Sequence, residues 1–326
     1  MLKPAEHEKA LRDCLASGEL ILDFSASVAV CRWLAKSTNT ARHATAFLSP
    51  NGKSLVVGIE DTSRKVRLDW FEMLHYRAVL NEPVLSATLS SKDSRLRYGN
   101  ACRDLTSEIA QADVATWAAL ASKTISLNGK SDSADLRIFV QDETTIRLLQ
   151  IDITDVIRIE FGEWTFRFDN WLLAKLDEHR RIKLPNETGG ILLGCFDTYH
   201  KICSIIDIVP SPSDSTEWPT SYIRGCKGLR EKVREVENQT LDQVGYVGEW
   251  HSHPKRCSIL PSGQDFEAYS WLGCHMHPEG YPAIMLIIGD AGFTFVSLPE
   301  ENRIAPANLK LKTERARKKS RPRRGT

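Results

Sequence analysis

The chain has 326 residues, 42% of them hydrophobic and 26% charged, a length for about two domains with a composition near the globular average. That much apolar material excludes a disordered chain, and no apolar run approaches the roughly 18 residues of a spanning helix, so no membrane association is expected. The formal charge of +1 hides an asymmetry: residues 310–326 hold nine Lys and Arg against one Glu, a charge of +8 that leaves the rest of the chain at −7.

The first twenty residues carry acidic groups and no apolar stretch, so no signal peptide is expected. Eight cysteines without a framework of short spacings fit a reducing cytoplasm better than a disulfide scaffold. Residues 44–48 and 54–59 are short apolar runs around Pro50-Asn51-Gly52, a turn signal, and predict a hairpin. Between 68 and 80, Leu68, Phe71, Met73, Leu74, Ala78 and Val79 recur at helical spacing, with Pro83 as the stop. An alanine-rich helix is predicted over 107–125, capped by Asp104 or Thr106. The small polar stretch 126–135 reads as a linker, followed by strand-like runs at 136–140, 145–151, 156–161 and 164–168. Further on, helices are expected at 170–181, over most of 223–243 and at 266–272. Strands are expected at 191–193, 202–209, 246–250, 283–288 and 293–298. The organisation expected is an α/β protein with a smaller mixed α/β domain over 1–125, a linker with leading strands over 126–161 and a second domain over 162–302. A basic disordered tail over 303–326 would follow, suited to electrostatic contact with nucleic acid or an acidic protein.

The residues that carry chemistry lie in the second domain. Gly248-Glu249-Trp250-His251-Ser252-His253-Pro254 ends a predicted strand. Side chains alternate along an extended segment, so His251 and His253 point to the same side and can converge on one metal ion. Asp265, in Pro261-Ser262-Gly263-Gln264-Asp265, can supply a third ligand. Zinc accepts His nitrogen and Asp oxygen and, in catalytic sites, keeps a fourth position for water whose pKa falls to about 7. Ser262 and Asp265 also have the spacing of a helix N-cap and its reciprocal carboxylate, a reading compatible with metal binding. Such chemistry needs a base to move protons, and Glu187, before Thr188-Gly189-Gly190 and the apolar run 191–193, is the candidate.

These three blocks, in this order and with apolar strands between them, resemble the JAB/MPN metalloproteases that carry the JAMM zinc motif, in their bacterial branch, over about residues 162–300. The resemblance implies a curved β-sheet flanked by helices on both sides. It implies a Zn²⁺ ion held by His251, His253 and Asp265, with Glu187 as general base and Ser262 steadying the oxyanion. It further implies a metallopeptidase or isopeptidase acting after the C-terminal tail of a ubiquitin-like protein or its conjugate, beside ubiquitin-like conjugation enzymes and in some settings antiphage defence. Domains of this family that have lost their ligands serve as non-catalytic scaffolds, and such a scaffold or a partner subunit of a ubiquitin-like conjugation system is the alternative function. One departure from the family pattern is the spacing: eleven residues, 254–264, separate His253 from Asp265 where ten are usual. The extra residue is expected in the loop 255–260.

Other signals are weaker. His275-Met276-His277-Pro278 repeats His-x-His-Pro without a following Ser-x-x-Asp. Cys257 lies within the expected metal loop, whereas Cys195, Cys203 and Cys226 read as small buried residues. Trp218, Tyr222 and Arg224 lie in a segment that, in related proteases, runs near the substrate tail. In the first domain, segments 42–48, 66–70 and 97–104 resemble the C-terminal part of ThiF-like, ubiquitin-activating-type proteins. Cys102 would then be a candidate thioester-forming thiol, but no Gly-rich phosphate loop accompanies it.

Overall fold

The computed structural model describes residues 13, 15–38, 41–86, 88–89, 96–97, 105–106, 109–142, 145–298 and 310–315. The chain divides into two compact units, Met1–Thr154 with Val236–Gln243 and Asp155–Glu235 with Val244–Thr326.

The first unit is built on strands β1 (Leu20–Asp23), β2 (Arg42–Leu48), β3 (Ser54–Ile59), β6 (Asp135–Asp142) and β7 (Thr145–Gln150), hydrogen-bonded in the order β1-β2-β3-β6-β7. A separate short pair is formed by β4 (Leu96–Arg97) and β5 (Leu105–Thr106). The predicted hairpin forms: Gly52 adopts φ +69°, and its N–H reaches the Ser49 carbonyl at 2.8 Å to close the β2–β3 turn. On β3, Leu55, Val57 and Ile59 pack with Trp117, Ala121 and Ile125 of helix α3 (Gln111–Asn128). Gly58 faces the other way, onto Phe71 of helix α2 (Leu68–Asn81). The period-two alternation of β3 thus puts one helix on each face of the sheet. Helix α1 (Val28–Lys36) packs against α2, with Arg32 holding the buried Glu72 through two hydrogen bonds at 2.8 and 3.1 Å. The N-terminus of α2 donates from Leu68 N–H to the buried Glu60 carboxylate at 3.1 Å, and Arg64 pairs with the same carboxylate at 2.7 Å.

Expectations for this half differ in their grouping and in one cap. The stretch 126–161 is expected as a linker with leading strands of the second domain, but up to Gln150 it instead joins the first sheet: α3 runs on to Asn128, β6 pairs with β3, and β7 closes the sheet. Leu136, Ile138 and Val140 are buried, so β6 is a sheet strand and the break between units falls after Thr154. The cap of α3 is not Asp104 or Thr106 either: the helix starts at Gln111 with Ala110 as N-cap and no capping side chain, and Thr106 lies in β5. Cys102 and the rest of segment 98–104 lie outside the described residues.

The second unit opens with β8 (Val156–Phe161), β9 (Trp164–Asp169), α4 (Asn170–Lys183), β10 (Gly189–Asp197) and β11 (Ile202–Pro210). It continues through the hairpin β12 (Thr216–Trp218) and β13 (Ser221–Ile223), then β14 (Gly245–Ser252), helix α6 (Gly263–Met276), β15 (Ala283–Gly289), β16 (Gly292–Leu298) and β17 (Lys310–Arg315). Helix α5 (Leu229–Gln239) precedes β14; the predicted helix over 223–243 is shorter because Ser221–Ile223 pairs as a strand. Eight strands form one mixed sheet in the order β17-β16-β15-β14-β10-β11-β9-β8. Part of the basic tail is therefore a strand, since Lys310–Arg315 pairs antiparallel with β16. Residues 303–309 and 316–326 lie outside the described residues.

Central strand β15 is buried on both faces. Ile284, Leu286 and Ile288 join Phe166, Phe168, Phe293, Phe295 and the α4 residues Leu172 and Leu176. The alternate residues Ala283, Met285 and Ile287 pack with Tyr269 and Leu272 of α6. The expected architecture, a curved α/β sheet covered by helices on both sides, is what these alternating clusters build. Asp169 caps α4, its side chain accepting the Leu172 N–H at 3.2 Å. Among the described residues no helix is long and apolar enough to cross a membrane.

Phe295, fully buried, packs its ring 5.0 Å from Phe166, 5.9 Å from Phe161 and 6.0 Å from Phe168. Phe295→Ala is expected to destabilise this unit by about 3–5 kcal/mol in a urea titration followed by tryptophan fluorescence. A loss under about 1 kcal/mol would contradict the packing described here.

Candidate metal centre

The site forms where β14 ends between two neighbours. β14 runs antiparallel to β10, placing His251 opposite Gly189 and Trp250 opposite Gly190. On its other side it runs parallel to β15, with His251 beside Ile287. A Cβ on Gly189 would lie 2.3 Å from Tyr222 Cε1 and 2.4 Å from the Trp250 carbonyl oxygen, so only glycine allows this approach. Beyond the last ladder pair, Ser252 N–H donates to the Thr188 carbonyl at 2.7 Å and Thr188 N–H donates to Ser252 Oγ at 3.2 Å. His253 N–H then donates to the Ile288 carbonyl at 2.8 Å. These bonds hold Thr188, the residue after Glu187, against Ser252, which lies between the two histidines in sequence.

His251 and His253 are buried, and their Nε2 atoms lie 3.2 Å apart. Asp265 meets both: Oδ1 is 3.1 Å from His251 Nε2 and Oδ2 is 3.6 Å from His253 Nε2. A tetrahedral zinc with ligand bonds of about 2.0–2.1 Å separates its ligand atoms by about 3.3 Å, so the three spacings fit that donor set. Among the described residues this is the one group of three His, Cys, Asp or Glu side chains able to share a metal ion. The His253 ring donates from Nδ1 to the Ser258 carbonyl, which leaves the Nε2 lone pair facing the other ligand candidates.

Ser262 and Asp265 form the reciprocal capping box of α6: Ser262 Oγ accepts the Asp265 N–H at 3.2 Å and Asp265 Oδ2 accepts the Ser262 N–H at 2.6 Å. The same box that starts the helix therefore aims Asp265 at the histidines, and the eleven-residue spacing does not prevent it. The loop turns through Arg256 at φ +64° and buries Ile259.

Electrostatics follow from the crowding. Burial pushes the Asp265 carboxyl up, but hydrogen bonds from His251 and His253 outweigh it and hold the group well below the usual carboxylate range. Burial lowers the His253 imidazole, yet its bonds with Asp265 and Ser258 win, so its pKa is raised above 6.5. Glu187 is half-buried and its pKa is raised: desolvation is the largest cause, opposed by the attraction of His253 and His251 and aided by repulsion from Asp265. A carboxyl poised above its ordinary value beside this cluster is suited to accept and return protons.

Among the described residues, none of the other sequence candidates joins the His251, His253 and Asp265 group. His275 donates from Nδ1 to the Trp271 carbonyl at 2.8 Å and lies over the Trp271 ring, and His277 opens a 3-10 turn after α6. Cys257 is exposed in the loop, Cys203 is buried as expected, Cys195 is half-buried, and Cys226 is exposed rather than buried. Trp218 is exposed; its carbonyl accepts the Glu187 N–H at 2.9 Å. Arg224 is engaged with Glu249 at 2.7 Å, and Glu249 also accepts from Tyr246 at 2.9 Å.

Sequence reasoning missed the supporting residues Thr188, Ser252, Ser258, Glu249, Arg180 and Asp290. One signal was present: the buried face of α4 runs Leu172, Leu176, Arg180, so a charged residue sits where the apolar stripe should continue.

Residues 170–299 match the family of prokaryotic homologs of the JAB domain. Over this segment the chain is similar to that family. A CD-NTase/cGAS isopeptidase of Enterobacter hormaechei subsp. hoffmannii is 35% identical over 104 residues, 32% of this chain. The chain spans about half of that relative's length, 56%. The solution structure of a Desulfitobacterium hafniense protein superimposes with a TM-score of 0.27 at 18% identity, covering 44% of this chain and 86% of that one.

Two glycines of the site are expected to differ. Gly189→Ala should lower the thermal unfolding midpoint, by about 1–3 kcal/mol of overpacking. Gly263, the first residue of α6, has open space around its Cβ position, so Gly263→Ala should leave the midpoint unchanged or raise it. Equal midpoints for the two variants would refute the close β10–β14 approach.

Proposed function

We propose that the chain is a zinc-dependent isopeptidase that cleaves the bond following the C-terminal tail of a ubiquitin-like protein in a conjugate. The observation that carries this reading is the convergence of His251, His253 and Asp265 at zinc-ligand spacing with Glu187 beside them. The isopeptidase relative supports a conjugate as the substrate class. The reading also takes in ubiquitin-like conjugation enzymes as partners and cytoplasm as the compartment.

In this reading His251 and His253 offer Nε2 and Asp265 offers carboxylate oxygen to the metal. What zinc supplies when bound is Lewis acidity toward a carbonyl oxygen and toward water. Glu187 takes the proton from the attacking water and passes it to the departing amine, which its raised pKa favours. Ser262 Oγ accepts the Asp265 N–H, and this leaves the hydroxyl proton for the developing oxyanion, a contribution of about 3 kcal/mol. The capping box keeps that hydroxyl in place before substrate arrives, so little reorganisation is needed at reaction.

Glu187→Gln tests the assignment of the base. The variant should fold, keep its metal and bind conjugate, while turnover falls about 10²–10⁴-fold. Retained turnover would defeat this mechanism, and loss of metal would make Glu187 a ligand. Changing His275 and His277 together to Ala should leave zinc content and turnover nearly intact.

Zinc binding should also respond to pH with a definite sign. The metal needs neutral imidazole, and the His253 pKa is raised above 6.5, so protons compete with metal from above that pH downward. Zinc affinity measured by chelator competition should therefore fall as pH drops, reaching about tenfold per pH unit once His253 is mostly protonated. An affinity independent of pH from about 7.5 to 5.5 would show that His253 is not a ligand.

A further inference from the structure

The metal loop is held by an ion pair outside the ligand set, between buried Arg180 and exposed Asp290. Arg180 lies on the inner face of α4 at 3% exposure. A guanidinium so placed is tolerable only if its donors find partners. Its Nε donates to the His253 carbonyl at 2.8 Å, one terminal nitrogen donates to Asp290 Oδ1 at 2.7 Å, and the other lies 3.6 Å from Asp177. The second oxygen of Asp290 accepts the Arg256 N–H at 2.9 Å. One arginine and one carboxylate thus tie α4, the end of β14, the turn after β15 and the metal loop.

The consequence for His253 is specific. Its N–H is fixed by Ile288 and its carbonyl by Arg180, so the backbone that carries the imidazole is held from both sides. Its ring is fixed in turn by Ser258, within the loop whose Arg256 amide Asp290 holds. Ile259 of that loop packs over Gly289, where a Cβ would lie 2.4 Å from Ile259 Cγ2. The loop with the additional residue is therefore pinned at Arg256, Ser258 and Ile259.

We propose that Arg180 and Asp290 are positioning residues of the metal centre, setting zinc affinity and ligand geometry through the His253 carbonyl and the Arg256 amide. This rests on the zinc reading above. Outer partners of metal ligands typically change metal affinity about 10–100-fold when altered. Lysine keeps the charge of Arg180 but is a single point donor and cannot span the His253 carbonyl and Asp290 as the planar fork does. Asparagine at 290 keeps the shape but loses one of the two acceptors that Arg180 and Arg256 require.

The test uses the full chain as wild type, Arg180→Lys, Asp290→Asn and the double variant. Zn²⁺ affinity is measured by chelator competition, Co²⁺ d–d absorption reads ligand geometry, and thermal unfolding of metal-free protein reads stability. Both single variants should still bind one Zn²⁺ per chain, about tenfold more weakly, with shifted Co²⁺ bands. The double variant should be little worse than either, because the two residues act as one unit. Should Arg180→Lys fail to fold, Asp290→Asn decides, since that carboxylate is 44% exposed. Wild-type affinity and an unchanged Co²⁺ spectrum in the variants would overturn the proposal alone. So would weaker binding that merely tracks a loss of metal-free stability with the Co²⁺ bands unmoved. A wild-type chain that binds neither metal would overturn the zinc reading and this proposal together.

Discussion

The reciprocal contact between Thr188 and Ser252 is the joint on which the site depends. Ser252 gives its N–H to the Thr188 carbonyl and takes the Thr188 N–H on its hydroxyl. It extends the β10–β14 pairing one step past Gly189 and His251, to the point where the strands run out. Glu187, whose N–H the Trp218 carbonyl also holds, thereby lies near enough to interact with His251 and His253. The approach requires glycine at 189, because a side chain there would strike Tyr222 and the Trp250 carbonyl.

The rest of the second unit packs around that joint. β15 buries one set of side chains under α4 and the alternate set under α6, so strand and helices cannot move independently. α6 begins with the capping box that aims Asp265, and α4 ends with the arginine that holds the His253 carbonyl. Sites built on strand ends and helix starts hold their groups more precisely than sites on free loops.

The strands and helices that carry the site were legible because their patterns were strong. The apolar runs at 191–193, 202–209 and 283–288 could be little else than buried strands, and His-x-His at a strand end with a later Ser-x-x-Asp located the three candidate ligands. What could not be read was long-range. β6 and β7 look like strands of either neighbour, and only pairing with β3 assigns them to the first sheet. The basic charge of residues 310–326 signalled disorder, yet Lys310–Arg315 finds β16 as a pairing partner. Arg180 and Asp290 are 110 residues apart in sequence and meet through the fold, leaving only the interrupted stripe of α4 as a trace. Glu187 was readable as a candidate base from its place before two glycines, but its raised pKa comes from burial among groups supplied by other segments.

In the proposed reading His251, His253 and Asp265 hold one zinc ion as a tetrahedral set open at its fourth position. The most direct measurement is a crystal structure of the protein grown with zinc, with anomalous data collected on both sides of the zinc edge. A single strong peak is expected at about 2.0–2.2 Å from His251 Nε2, His253 Nε2 and a carboxylate oxygen of Asp265, with Glu187 outside the ligand set. A peak on His275 and His277, on Cys257, or nowhere near the end of β14 would contradict it.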